Sequence, residues 1–340
     1  MKNKIIYLKP FNNKIFYKNA IFNEHIPAGS SYLIAAKRLA EKNGFSIDTI
    51  DLCKNKRADH FVFMDIPYPW ELWLWIKIIF NRSKNILFLV EPPIVNPFNY
   101  FKLLHIFFSK VYTWNDDLVD NHKYHKYYLP KVNYDINAKQ IPFIKKRFLV
   151  SISGNLSPFL PFQLLSLSTR ELYTERMKAI GYFDSHSPDF SLYGRNWNKP
   201  QRFNIAQRFT GFKFYKSYKG ILALNEKHNT LSRFKFALCF ENSEIPGYIS
   251  EKIFDCFKAK CVPIYLGAPN INQFIPVNCF IDFRKFNNYK LLIKFLRDMD
   301  EVKYNIYIKN IMLFLKNKTT ISTWSVDSFA NIFLFNYRIE

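Results

Sequence analysis

Between residues 234 and 276 the chain sets acidic, basic and hydroxyl side chains at short spacings: Glu241-Asn242-Ser243, then Pro246-Gly247-Tyr248, then Ser250-Glu251-Lys252. The flanks indicate what such a cluster could do. Residues 234–240 form an apolar, aromatic run that reads as a buried strand. Residues 250–258 carry a helical period with Ile253, Phe254 and Phe257 on one face, and 261–266 is a second apolar strand ended by Gly267. A strand feeding a helix through a polar loop puts unpaired N–H groups and a positive dipole end at the strand's carboxyl edge, where open α/β sheets bind ligands. A lysine in the first helical turn does little for helix stability, but Lys252 is well placed to meet a diphosphate. Glu251 beside it can accept hydrogen bonds from sugar hydroxyls. The chemistry expected is capture of a nucleotide or nucleotide sugar; the competing reading is an ordinary βαβ unit whose charges are solvated.

Two more residues stand where chemistry is done. Glu91 ends the apolar run 85–90 and precedes Pro92-Pro93. A carboxyl partly shielded by apolar neighbours can act as a general base, although a glutamate there can also simply cap a turn. Arg195 follows the short strand 190–193 and Gly194, and its planar fork suits a phosphate. The alternative is a surface arginine stacked on Trp197. Metal signals are weak. Asp298-Met299-Asp300 reads as part of a charged helix face, Asn115-Asp116-Asp117 as an N-cap at Asp116 or Asp117, and His122 and His125 lack a third ligand nearby.

The stretch FALCFENS…GYISEKIFDCFKAKCVPIYLGAPN closely resembles the donor-binding signature of the family 10 glycosyltransferases, the α-1,3/4-fucosyltransferases. That signature is an aromatic strand, F-E-N-S, a short spacer, Y-[IV]-[ST]-E-K, a helix, then V-P-[IV]-Y-x-G. The resemblance is specific over 234–283, weaker over 190–233 and loose before that. It implies an α/β fold of the GT-B class, two doubly wound Rossmann-like domains facing across a cleft, in a bacterial-type enzyme. The implied reaction transfers L-fucose from GDP-β-L-fucose to a glycan hydroxyl with inversion and an α-1,3 linkage, in cell-surface polysaccharide or lipopolysaccharide synthesis. Neither a metal nor another cofactor is expected. By the resemblance, Arg195, Glu241, Asn242, Ser243, Tyr248, Ser250, Glu251 and Lys252 contact the GDP-sugar, and Glu91 deprotonates the acceptor. Arg170 and Arg176 fit loosely an arginine-rich helix of the family. A different GDP-sugar on the same fold stays open.

The elements that must position these residues follow from pattern. Strands at 4–8, 46–52, 58–64, 85–90 and 110–114 alternate with helices at 30–43, 70–80 and 97–108, which predicts a parallel sheet wound on both faces. No G-x-G-x-x-G fingerprint occurs, which disfavours a dinucleotide site. A length of 340 residues suits two domains. Pro130, Pro142 and the run Lys145-Lys146-Arg147 mark a linker over 130–147, giving an acceptor domain at 1–145 and a donor domain at 146–340.

Composition narrows the partners. A net charge of +22 calls for acidic ones: phosphorylated substrates, an anionic membrane or nucleic acid. A nucleic-acid-binding protein is the reading from another class, disfavoured because the basic residues are scattered and no recognition motif is present. Five cysteines without a C-x-x-C pair suggest reduced, buried thiols. The longest uncharged stretch, 148–169, contains Gly154, Pro158 and Pro161 and is no plain membrane span, and Ile5 to Leu8 is too short for a signal core. The expectation is a cytoplasmic enzyme in peripheral contact with the anionic inner membrane face. The amphipathic stretch 302–318, with Ile308, Ile311, Met312 and Leu315 opposite Lys309, Lys316 and Lys318, would touch lipid or pack back on the first domain.

Overall fold

The computed structural model describes residues 4–11, 13–24, 31–53, 58–129, 140–166, 169–201, 214–223 and 226–335. Most of the expected linker, 130–139, and much of the basic region 198–225 lie outside them. The chain divides into two compact units, Met1–Asn133 with Ser322–Glu340, and Tyr134–Ile321.

Among the described residues the first unit holds a six-stranded sheet: β1 (Lys4–Lys9), β2 (Phe45–Thr49), β3 (His60–Met64), β4 (Asn85–Leu89), β5 (Lys110–Thr113) and β6 (Tyr124–Lys126). All pairings are parallel and the order is β2-β1-β3-β4-β5-β6. Every residue of the central strands β3 and β4 is buried. That explains their apolar runs 61–64 and 86–89, since parallel strands are covered on both faces. The helix Val326–Phe335 belongs to this unit and packs on the helix Ser31–Lys42, with Phe329 edge-on to Tyr32 at 4.7 Å.

Three local expectations change here. Residues 97–108 are not one α-helix but two 3₁₀ stretches, Pro97–Tyr100 and Lys102–Phe107. The cause is competition for Asn99: its side chain is engaged by the Ile66 N–H, and its carbonyl is taken by His105 Nε2 at 3.0 Å. The helix expected at 70–80 forms as Leu72–Phe80, yet only Leu74 and Ile78 are buried in it. The cap of the turn at 116–118 is Asn115, which accepts from the Asp117 N–H, rather than Asp116 or Asp117.

The second unit holds a five-stranded parallel sheet in the order β13-β12-β10-β7-β9. Its strands are β7 (Arg147–Ile152), β9 (Phe190–Tyr193), β10 (Phe234–Phe240), β12 (Val262–Leu266) and β13 (Ile281–Asp282). Two short strands, β8 (Arg170–Glu171) and β11 (Ser243–Glu244), pair antiparallel beside it. The helix that follows β8 runs over Tyr173–His186. The helix Glu301–Lys316 buries Tyr304, Ile308, Ile311, Phe314 and Leu315. Phe314 meets Phe257 edge-on at 5.9 Å, and Tyr304 Oη donates to the Lys260 carbonyl. Its apolar stripe is therefore spent inside the second unit, and that face is not offered to lipid. Asp300 caps this helix through the Lys303 N–H, so Asp298-Met299-Asp300 is a turn between helices rather than a helix face. Cys53, Cys239, Cys256, Cys261 and Cys279 are free thiols, all buried except the half-buried Cys53. Among the described residues no helix is long and apolar enough to cross a membrane.

Candidate donor-binding site

The site begins where β10 stops. The Glu241 N–H still donates to the Leu266 carbonyl of β12, so Glu241 is fixed to the sheet before the chain turns away. Its carboxylate is wholly buried, and both oxygens are engaged. Oε1 accepts from the Ser250 N–H at 2.7 Å; Oε2 accepts from Ser250 Oγ at 2.7 Å and from Lys252 Nζ at 2.8 Å. Ser250 is the N-cap of the helix Glu251–Lys258 and sits 3.0 Å from the Lys252 ammonium. Burial works against the charge on Lys252, but Glu241 and Glu251 outweigh it and hold its pKa above the ordinary lysine range. About a quarter of its side chain stays exposed. This resolves the oddity of a cation at a helix N-terminus: a buried carboxylate beneath the cap compensates it.

Two residues outside the cluster shape it. Gly267 ends β12 where a Cβ would lie 2.6 Å from Glu241 Cγ and 2.5 Å from Tyr265 Oη, so only glycine admits the carboxylate there. Arg176, on the helix Tyr173–His186, is buried, and burial draws its pKa down. It donates to the Phe240 and Glu241 carbonyls, each at 2.8 Å, and to Asn242 Oδ1 at 3.1 Å. The carbonyl of Asn242 also accepts from the Leu172 N–H. Arg176 thus serves the loop from beneath through backbone oxygens. Ser243 is buried with no hydrogen-bond partner for its hydroxyl among the described residues, and Tyr248 is buried. Glu251 is exposed in the first turn of the helix.

The neighbouring strand ends form a second wall of this sheet edge. Asn155, after β7, reaches across to β9's loop: its N–H donates to the Arg195 carbonyl and its side-chain amide to the carbonyls of Asn196 and Lys199. Trp197 is fully buried, donates to the Ser153 carbonyl at 2.6 Å and packs edge-on to Tyr215. Arg195 is exposed and does not stack on Trp197 among the described residues. Gly194 has φ +140°, and a Cβ there would fall 1.9 Å from the Ser153 carbonyl oxygen. Gly194→Ala is therefore expected to cost about 3 kcal/mol or more, from backbone strain plus displacement of the β7 loop. Urea denaturation measures it; an unchanged midpoint would show that the loop relaxes freely.

The structure accordingly gathers Ser250 and Lys252 around the Glu241 carboxylate, holds Asn242 on Arg176 instead, and leaves Ser243, Tyr248 and Glu251 adjoining in sequence. Arg195 stands at the same edge, two strands away in the order β10-β7-β9, without touching that network. Glu91 belongs to the first unit. There Asp65 Oδ1 accepts from the Val90 and Glu91 N–H groups, at 2.6 and 3.0 Å, and from Asn99 Nδ2 at 2.7 Å. The Glu91 carbonyl accepts from Asn99 Nδ2 and Tyr100 Oη. Asp65 lies in the left-handed region at φ +66° and is buried; burial raises its pKa against the pull of those N–H groups. Lys9 is buried too, and desolvation brings its pKa down to about 8. Sequence alone does not mark Asp65, Asn99 or Gly267 as supports of the site, and it places Arg176 only loosely. Asp65 carried one usable signal, since it ends β3 as Glu91 follows β4, on paired neighbouring strands. Among the described residues no cluster of three or more metal-ligating side chains occurs.

Residues 165–324 match the sequence profile of glycosyltransferase family 10 (fucosyltransferase), C-terminal part. The chain is 35% identical over 82 residues to an α-(1,4)-fucosyltransferase of Arabidopsis thaliana, a stretch covering 24% of this chain and 20% of that protein. It is 33% identical over 124 residues to the α-(1,3)-fucosyltransferase FucT of Helicobacter pylori, covering 35% of this chain and 26% of that one. These matches span about a quarter or less of the relatives' own length. A crystal structure of an α1,3-fucosyltransferase with GDP-fucose is similar over 99% of this chain and 91% of its own, with a TM-score of 0.52 and 15% identity, which is a likeness of fold. The fold is that of the GT-B glycosyltransferases, and residues 165–324 match the C-terminal part of the family 10 profile.

Proposed function

We propose that the protein is an inverting glycosyltransferase that moves L-fucose from GDP-β-L-fucose to a hydroxyl of a glycan, with an α-1,3 linkage, in the synthesis of a cell-surface polysaccharide or lipopolysaccharide. One observation carries the reading: the Glu241–Ser250–Lys252 network at a helix N-terminus within the family 10 domain. An ammonium has three donors. Glu241 and Ser250 take two, and the partly exposed third suits a diphosphate oxygen. In this reading Lys252, the helix start at Ser250 and the fork of Arg195 stabilise the charge that grows on the leaving GDP. Asn242, Ser243, Tyr248 and Glu251 meet ribose or sugar hydroxyls, and Glu251 also favours the oxocarbenium-like transition state. Glu91 takes the acceptor proton. The protein's own cations do the work a metal does elsewhere, the partners are a nucleotide sugar and a glycan, and the reaction belongs to the cytoplasmic face.

Thermal melting with GDP, UDP and NAD, followed by incubation with GDP-fucose, GDP-mannose and UDP-glucose over a glycan panel and mass spectrometry of the product, tests the reading. GDP alone should raise the melting temperature, and a deoxyhexose should appear on a glycan. Lys252→Ala should remove the GDP response and slow transfer about a hundredfold. A full GDP response in that variant would displace Lys252 from its role, and a salt-sensitive complex with random RNA but no response to GDP would replace the reading altogether.

A further inference from the structure

The helix Leu72–Phe80 has two apolar faces, and the fold uses one. Leu74 and Ile78 point into the core. Leu72, Trp73, Ile76, Ile79 and Phe80 fall on a single arc of about 120° at the helical period of 100° per residue. All five are exposed, Phe80 by 82% and Leu72 by 68%. The surface continues on both sides. Trp70 is exposed at one end, stacked on Tyr68 and edge-on to Phe98. At the other end lies the 3₁₀ segment Lys102–Phe107, with Leu103 exposed by 76% and Ile106 also exposed. Isolated exposed leucines are ordinary; a contiguous aliphatic and tryptophan surface is not.

The charges within the segments that form this face have one sign, with Glu71 just before the helix and Asp120 beside Lys123. No Asp or Glu occurs from 72 to 90 or from 92 to 115, while Lys77, Arg82, Lys84, Lys102 and Lys110 do. Where the helix ends, a cavity of about 510 Å³ is lined by Ile79, Phe80, Ile106 and Phe108 on its apolar side and by Arg82, Lys123, Ser83 and Ser109 on its polar side. Lys123 donates to the Phe108 carbonyl. Burial and then the nearby Arg82 charge hold its pKa below the ordinary lysine value, so an anion between the two cations would relieve both.

We propose that this face, the Leu72–Phe80 helix with residues 101–107, docks on an anionic lipid bilayer, and that the Arg82–Lys123 cavity receives a lipid headgroup phosphate. The apolar arc enters the acyl boundary, Trp70 and Trp73 lie at headgroup level, and the flanking lysines reach the surface charge. The proposal does not depend on the donor reading, because all these residues belong to the first unit and none serves the candidate site. It places the surface on a segment other than 302–318.

The test is co-sedimentation of the full chain with vesicles of phosphatidylcholine alone and of phosphatidylcholine mixed with phosphatidylglycerol. Binding is expected to the mixed vesicles, weakening as salt rises, with a blue shift of tryptophan fluorescence. The double variant I76S/F80S should bind about tenfold or more weakly, since each loses one buried apolar side chain in the lipid, yet melt no lower, since both are exposed in the folded protein. Arg82→Ser should lose about fivefold on the mixed vesicles only. Equal binding to both vesicle types, or full binding by I76S/F80S, overturns the proposal. So does a wild-type dimer that ignores vesicles and dissociates in I76S/F80S, because the face then covers a second copy of the chain.

Discussion

Glu241→Gln is expected to unfold the donor loop before it touches chemistry. The carboxylate is fully buried and meets the Ser250 N–H, the Ser250 hydroxyl and the Lys252 ammonium. Glutamine keeps the shape but removes the charge that balances Lys252, and its NH₂ cannot accept. Breaking one side of a buried pair costs about 3–5 kcal/mol. Lys252 can turn toward water because a quarter of it is exposed, so the low end, about 3 kcal/mol, applies. In a unit of this size that lowers the melting temperature by about 6–12 °C. The GDP response should vanish with it, since the helix start would no longer be held. Differential scanning calorimetry of the wild type and Glu241→Gln, with and without GDP, reads both effects. A variant that melts like the wild type would mean the pair is dispensable, and the account of the loop with it. The contrast with Lys252→Ala is informative: that change leaves Glu241 buried without its cation, so both variants should lose stability.

The second large effect is on turnover alone. Glu91→Gln should lower kcat about 10²–10⁴-fold, the usual contribution of a positioned general base. The GDP response should stay as it is. The loop keeps its course because the Glu91 backbone is held directly: the N–H on Asp65, and the carbonyl under Asn99 and Tyr100. None of those bonds needs the side-chain charge. Steady-state transfer assays beside GDP melting curves separate the two readouts. Undiminished turnover would take Glu91 out of catalysis and leave it as a loop residue.

Legibility from sequence differed sharply along the chain. The unit from β10 to β12 was readable because strand, turn, helix and strand each announce themselves locally, and because Ser250 is a strong N-cap ahead of an amphipathic turn. The stretch 97–108 misled because a helical period of apolar residues cannot reveal that Asn99 and His105 have partners elsewhere. The apolar sequence of the helix at 72–80 does not reveal its exposure for a related reason. Hydrophobicity reports what a residue would gain by burial, not whether the fold supplies a cover.

What the order of residues determined by itself is therefore the parallel α/β character, the run of donor-loop residues and the presence of a cation where a helix begins, since each rests on short-range pattern. Tertiary structure decided what those residues do. It set Lys252 on a carboxylate eleven positions earlier. It slid Arg176 beneath the loop and cleared room for Glu241 with a glycine from the next strand. It tied Glu91 to an aspartate on the neighbouring strand. Those choices depend on which strands lie side by side, and strand order is a long-range property that sets partners far apart in sequence within a few ångströms of one another.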